Sequence, residues 1–310
     1  MIINKYEEEQ RRGYVLKKKV KKVFSSFFSR REEKIIEEIN RKYEICFNDS
    51  FKDYDNDLFY AIQIETINRC NGICPFCPVN RNMDTRKLVK MTEELYKKII
   101  DELAELNYCG KISISSNNEP LMDKNLVERV RYAREKLPRA YMYIYTNGTL
   151  MKLEDCRRLA KYLNRIYIDN YNDELVLADN IKIIAKECER DSELNEKVYI
   201  CLRKIHEVLW TRGGQAPNNN KKIIRDYPCF LPFCQMIIRP DGKVSLCCSD
   251  ALGKYTLGDV SEQSLINIWE GEAFNAIRKK IRGGILLQLI YVSTVMQNIK
   301  TKVSLNMLPM

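Results

Sequence analysis

The sequence predicts an α/β fold of short parallel strands alternating with helices, closed into a barrel or half-barrel and followed by a small cysteine-containing α+β unit. Three observations carry this expectation. From Leu58 to Arg203, strand-length apolar runs alternate with longer runs whose apolar residues recur every three to four positions. After Arg212-Gly213-Gly214 the alternation stops in a polar stretch, QAPNNNKK (215–222), and a hairpin-like sequence begins. With 45% hydrophobic and 30% charged residues, a chain of 310 residues can bury a sizeable core, so intrinsic disorder is excluded as its main state.

In chain order, residues 1–55 form a charged preamble. Positions 11–31 hold nine Lys/Arg and no acid, and Val20, Val23, Phe27 and Phe28 suggest a helix with an apolar stripe. Packing of that stripe on the main domain is the plain reading; contact of 11–31 with a membrane surface or RNA is the functional one. LFYAIQIET (58–66) is a strand. Thr92 caps a helix lined by Leu95, Ile99, Leu103 and Leu106. KISISS (111–116), YMYIYT (141–146), RIYID (165–169) and KVYICLR (197–203) are the next strands, separated by helices at LVERVRYAREKL, LEDCRRLAKYL and about 175–190. CFLPFCQMIIRPDGKVSLCCSD contains a hairpin turning at Pro240-Asp241-Gly242, and LGDVSEQSLINIWEGEAFNAIRKKIR supplies a helix. The boundaries are therefore 1–55, 56–214, 215–284 and an atypical tail, 285–310, whose apolar run is too short to span a bilayer.

Several chemistries are excluded. The 12 glycines never form G-x-G-x-x-G or a Walker loop, and the single histidine, His206, cannot build a multi-histidine zinc site. Met1-Ile2-Ile3-Asn4-Lys5 opens into Glu7-Glu8-Glu9 without a signal-peptide pattern, so the expected compartment is the cytoplasm. There the 12 cysteines are expected to be metal ligands or reduced thiols.

Cys70, Cys74 and Cys77 stand as C-x3-C-x2-C just past the first barrel strand. Three thiolates can hold three irons of a [4Fe–4S] cube and leave the fourth open, whereas structural zinc lacks a fourth partner nearby. With Asn117-Asn118-Glu119-Pro120 after the second strand and Thr146-Asn147-Gly148 after the third, this loop resembles the radical S-adenosylmethionine (SAM) superfamily. The resemblance implies a partial (β/α)6 barrel, a SAM-binding [4Fe–4S] cluster on Cys70, Cys74 and Cys77, and cofactor contacts from Phe76, Asn118, Glu119, Thr146, Asn147, Arg203 and Arg212. Glu119 would accept from the SAM ammonium, and Phe76 would face adenine. Both glycines of the family's Gly-Gly-Glu-Pro segment are asparagines here.

Cys229, Gly242 and Cys247 resemble the start of a SPASM/Twitch extension, which implies one or two auxiliary [4Fe–4S] clusters. No cysteine follows Cys248, so the auxiliary site is expected to be incomplete, with Cys234 and Cys248 as substitute ligands in the alternative. Cys46, Cys109, Cys156, Cys188 and Cys201 are expected to be buried thiols.

The resemblance implies an oxidoreductase-like enzyme that reductively cleaves SAM to a 5′-deoxyadenosyl radical and abstracts hydrogen from a substrate C–H bond. A net oxidation of a small polar or glycan-related substrate is expected, with a one-electron reductant such as a flavodoxin or ferredoxin and no DNA. The catalytic base is not assigned. The alternatives are a peptide or protein maturase, a non-catalytic iron–sulfur or zinc module, and an adaptor built on the basic preamble.

Overall fold

The computed structural model describes residues 2–4, 58–209, 211–219, 229 and 231–282. Most of the charged preamble, the end of QAPNNNKK and the 285–310 tail lie outside the described residues, as does Cys46. The first described element is β1 (Ile2–Asn4), a strand the sequence reading did not assign; the helix expected in the basic run lies outside the described residues. The next elements are β2 (Ala61–Ile64), α1 (Glu93–Glu105), β3 (Lys111–Ser113), α2 (Leu126–Lys136), β4 (Tyr141–Thr146), α3 (Leu153–Ala160), β5 (Arg165–Tyr171), α4 (Asp179–Arg190), α5 (Ser192–Lys197) and β6 (Val198–Arg203). The later segment adds β7 (Gln235–Ile238), β8 (Lys243–Ser245), β9 (Thr256–Asp259), α6 (Leu265–Trp269) and α7 (Glu272–Arg282).

Among the described residues, the nine strands form one open sheet in the order β1-β6-β5-β4-β3-β2-β7-β8-β9. Every pairing from β1 to β7 is parallel; only β7–β8 and β8–β9 are antiparallel. The hairpin turns where expected, and Gly242 supplies the left-handed backbone, φ 82°, that the turn requires. Thr92 caps α1 by accepting from the Leu95 amide at 3.2 Å. The single helix expected in the extension is two, α6 and α7, broken at Gly271.

Strand alternation divides the sheet into two faces. Ile62, Ile64, Ile112, Ile114, Met142, Ile144, Ile166, Ile168 and Ile200 are buried in one apolar cluster with Ile99, Leu103, Val130, Leu159 and Ile184 of the helices. The opposite face carries Gln63, Ser113, Tyr143 and Arg165 in one register layer and Tyr145, Tyr167 and Tyr199 in the next. It is a polar and aromatic face, and its strands' C-terminal ends lead into the cysteine loop, the Glu119 segment and the Thr146-Asn147-Gly148 turn. Gly148 adopts φ 73°, and a Cβ there would meet Ile168 at 2.5 Å, so the turn needs glycine for backbone and for space. Cys156, Cys188 and Cys201 are buried as expected. Cys109 is a correction: it is exposed, in the connection entering β3 rather than in a packed element.

Candidate cofactor and substrate site

The Cys70–Cys77 loop leaves β2 and is stitched to two neighbouring strand ends. The Asn147 side-chain amide donates to Asn71 Oδ1 at 2.9 Å and to Cys70 Sγ at 3.8 Å, while Asn71 donates to Thr149 Oγ1 at 2.7 Å. The Glu119 amide donates to the Arg69 carbonyl at 2.8 Å. Asn80 ties the end of the loop by donating to the Cys77 carbonyl at 2.7 Å. Burial pushes the Cys70 thiol up to about 11 and the Cys74 thiol up to about 12, and the Cys77 thiol adds to both rises.

These donors fit an iron–sulfur cube. Among the described residues no three His, Cys, Asp or Glu side chains converge tightly enough for a single ion. A cube needs something different, one thiolate on each of three separate irons. The loop supplies three thiols within electrostatic reach of one another, and Gly72 runs so close that a Cβ would sit 3.3 Å from Cys70 Sγ.

Beside the loop, Glu119 is buried and joins three segments. Its Oε1 accepts from Thr146 Oγ1 at 2.7 Å and from the Leu121 amide at 3.0 Å, and its Oε2 accepts from the Asn147 amide at 2.8 Å. Burial raises its carboxyl above the usual range, although these donors pull it down. Asn118 accepts from the Ser116 amide at 3.0 Å, and its buried Nδ2 has no acceptor among the described residues. Phe76 is buried with its ring 5.5 Å from that of Tyr171. Arg203 and Arg212 both lower the Tyr171 hydroxyl, which burial otherwise holds well above its ordinary value. Arg203 is committed to a buried pair with Glu207 at 2.8 Å, and Arg212 donates to Asn117 Oδ1 at 3.0 Å.

The extension's thiols also gather. Burial pushes Cys234 up to about 12, and Cys229 and Cys248 add to the rise. Cys247 is pushed up to about 12 by burial, with Cys248 and Cys229 contributing. Cys229 and Cys248 thus each lie within electrostatic reach of both Cys234 and Cys247, and four thiols are the number a complete cube takes. Cys248 also adjoins the Tyr143 hydroxyl, and its carbonyl accepts from Asn117 Nδ2 at 3.0 Å, so this loop borders the tyrosine face.

Sequence reading missed that face and the residues at its rim. Asp169 closes the β5 side within electrostatic reach of Cys74, Tyr145 and Tyr171. Glu65 is buried at the end of β2 and accepts from the Asn117 amide at 2.7 Å. The available signal was period two: Tyr141, Tyr143, Tyr145 and Gln63, Glu65 are alternate residues of their strands.

Comparison with known proteins agrees with this architecture. The model of the Radical SAM superfamily matches residues 64–210, and that of the SPASM iron-sulfur cluster-binding domain matches 229–285. The S-adenosyl-L-methionine-dependent 2-deoxy-scyllo-inosamine dehydrogenase of Niallia circulans is 28% identical over 238 residues, 73% of this chain and 88% of the relative. The crystal structure of BtrN in complex with AdoMet and 2-DOIA superposes with a TM-score of 0.65 at 25% identity, covering 76% of this chain and 92% of that one. Streptococcus suis SuiB bound to precursor peptide SuiA shares the fold at 14% identity and a TM-score of 0.54, over 88% of this chain and 79% of that one. No described helix is long and apolar enough to cross a membrane. The sheet, the cysteine loop at its strand ends and the two family matches agree: the chain belongs to the radical SAM superfamily, as an enzyme of oxidoreductase type whose barrel is followed by an iron–sulfur cluster-binding SPASM domain.

Proposed function

We propose that the protein dehydrogenates a secondary alcohol of a small, hydroxylated, amine-bearing ring. The observation that carries the reading is the likeness to 2-deoxy-scyllo-inosamine dehydrogenase across 88% of that protein's length. The polar, tyrosine-rich face beside the cysteine loop supports it. Cys70, Cys74 and Cys77 would hold the [4Fe–4S] cluster; bound there with SAM, it supplies a hydrogen-abstracting radical.

The chain's own residues orient and exclude. Glu119 has neutral partners only, and Oε2 carries a single donor, so this buried carboxylate has both the reason and the lone pair to take the SAM ammonium. Phe76, backed by Tyr171, offers an aromatic face, and Asn118 Nδ2 a buried donor. Thr146 and Asn147 hold Glu119 and the loop in place, while Arg212, bonded to Asn117, would bring positive charge to the β6 side, where Arg203 is held by its pair with Glu207. Oxidation of an alcohol removes a hydrogen atom from carbon, which the SAM-derived radical would take, and then one proton and one electron; an oxidised iron–sulfur cluster on the extension's cysteines would be the acceptor of that electron. Asp169, within electrostatic reach of the Tyr145 hydroxyl at the rim of the face, would take the proton.

The test is anaerobic incubation with SAM, a low-potential one-electron reductant and 2-deoxy-scyllo-inosamine deuterated at its carbinol carbons. The expected result is a ketone together with 5′-deoxyadenosine carrying deuterium. SAM cleavage with no deuterium transfer from this or related rings, but with modification of a peptide, would transfer the assignment to a maturase.

A further inference from the structure

Resting on that reading, we infer that the face of Tyr145, backed by Tyr167, is the platform on which the substrate ring lies, and that this platform selects a hydroxylated ring over a peptide. Tyr145 is 42% exposed although it stands inside the sheet's polar face, next to half-buried Tyr143 and Tyr167. Its ring stacks on Tyr167 with centroids 4.6 Å apart at 15°, and Tyr143 meets it edge-on at 5.8 Å and 88°. One neighbour supports the plane from behind and another from the side, which leaves a rigid aromatic surface for a ligand. An aromatic face is electron-rich and attracts the polarised C–H groups on the flat side of a saturated hydroxylated ring.

Two further features define the ligand. Gln63 Oε1 and Gln235 Oε1, on the same face of adjacent strands β2 and β7, are buried without a donor among the described residues. Buried acceptors ask for donors, which the hydroxyl and ammonium groups of such a ring supply. A peptide would instead seek main-chain pairing, yet β4 is already hydrogen-bonded to β3 on one side and β5 on the other. The platform is also next to the cofactor residues: Tyr145 precedes Thr146, whose hydroxyl donates to Glu119, and Asp169 and Cys201 lie within electrostatic reach of the Tyr145 hydroxyl.

The experiment titrates 2-deoxy-scyllo-inosamine, and cyclohexylamine as its hydroxyl-free counterpart, into anaerobically reconstituted, SAM-loaded protein by calorimetry. Wild type, Tyr145→Phe, Tyr145→Leu and Tyr145→Ala are compared, with SAM affinity and melting temperature read for each. The expected result is a Kd for the aminocyclitol that rises about tenfold in the Leu and Ala variants and stays within about twofold in the Phe variant, with SAM affinity unchanged. Cyclohexylamine is expected to bind far more weakly than the aminocyclitol. Wild-type affinity in Tyr145→Leu, an equal loss in Tyr145→Phe, or equal binding of cyclohexylamine overturns the inference. A wild-type protein that binds SAM but only peptides overturns it too, leaving the radical SAM assignment standing. A wild type that binds no SAM strikes that assignment first, and the variant series on ring binding then decides the platform alone. If Tyr145→Ala melts early, the Phe and Leu pair carries the comparison.

Discussion

Replacing Glu119 by Ala should damage both the fold around the strand ends and SAM binding. The carboxylate accepts from two backbone amides, Leu121 and Asn147, and from the Thr146 hydroxyl, all with little access to water. A hydroxyl can rotate to another acceptor, but the two amides cannot, and a buried unsatisfied donor costs about 1–3 kcal/mol. At about 1.5 kcal/mol each, the loss is about 3 kcal/mol. A chain of this size loses about 2–4 °C per kcal/mol, so melting should fall by roughly 6–12 °C. Loss of the charge-assisted bond to the SAM ammonium, about 1.5–3 kcal/mol, weakens affinity on the order of tenfold or more. Glu119→Gln should keep part of the stability, because one amide oxygen still accepts, yet lose the charge-dependent affinity. Scanning fluorimetry with and without SAM reads both effects, and the visible absorbance of the reconstituted cluster controls for intact Cys70–Cys77. A Glu119→Ala protein that melts within about 2 °C of wild type would refute the stitching role. Unchanged SAM affinity in both variants would remove Glu119 from the binding site.

Other outcomes follow from the same geometry. Burial pushes Glu65 up to about 7 from its ordinary 4.5, against the pull of the Asn117 amide, Arg86 and Arg239. The folded state therefore holds more protons than the unfolded one between these values, and stability should fall as pH rises from about 4.5 to 7, by an amount on the order of 3 kcal/mol. Glu65→Gln should flatten that slope in urea titrations; an unaltered slope would mean that another group causes it. Replacing Cys70, Cys74 and Cys77 together by Ala should remove about four irons from reconstituted protein and abolish SAM cleavage. Since Cys229, Cys234, Cys247 and Cys248 gather, the wild-type count should be about eight, falling to about four in Cys229→Ala/Cys247→Ala; a wild-type count of about four would support the incomplete auxiliary site read from the sequence.

The strands were legible because their side chains alternate: YMYIYT is β4 residue for residue, and the helix boundaries agree to within a few positions. The cofactor loop was legible because three thiols at that spacing have few structural uses. Other features depend on pairings between distant segments, which local pattern does not encode. Arg203 read as a cofactor contact, but the sequence did not announce that Glu207, four residues on, folds back to pair with it. Asn147 read as a cofactor contact, and its side chain also reaches the sulfur of Cys70, 77 residues earlier, which no local pattern announces. The tyrosine repeat was visible as period two, but which face lines the site is decided by where the helices pack. Cys109 sits in a connecting turn, where a thiol's apolar character does not enforce burial.

The pairing of β7 with β2 bears on how this chain can be divided. Ala61 donates to the Cys234 carbonyl and Glu65 to the Ile238 carbonyl, both at 2.9 Å, so the strand that launches the cysteine loop takes half its ladder from residues beyond 230. A protein cut at the compositional break near residue 214 would expose one whole side of its first barrel strand, with an unpaired row of amides and carbonyls beside a largely apolar sheet. Such an edge recruits a second copy, and self-association is its natural fate. The SPASM segment is thus a folding partner of the barrel as well as a place for thiols, and the two share one cooperative sheet whatever metal each carries. Ribosomal synthesis delivers β2 some 170 residues before the strand that covers it. In that interval the nascent barrel is sticky, and covering its first strand waits on the synthesis of β7.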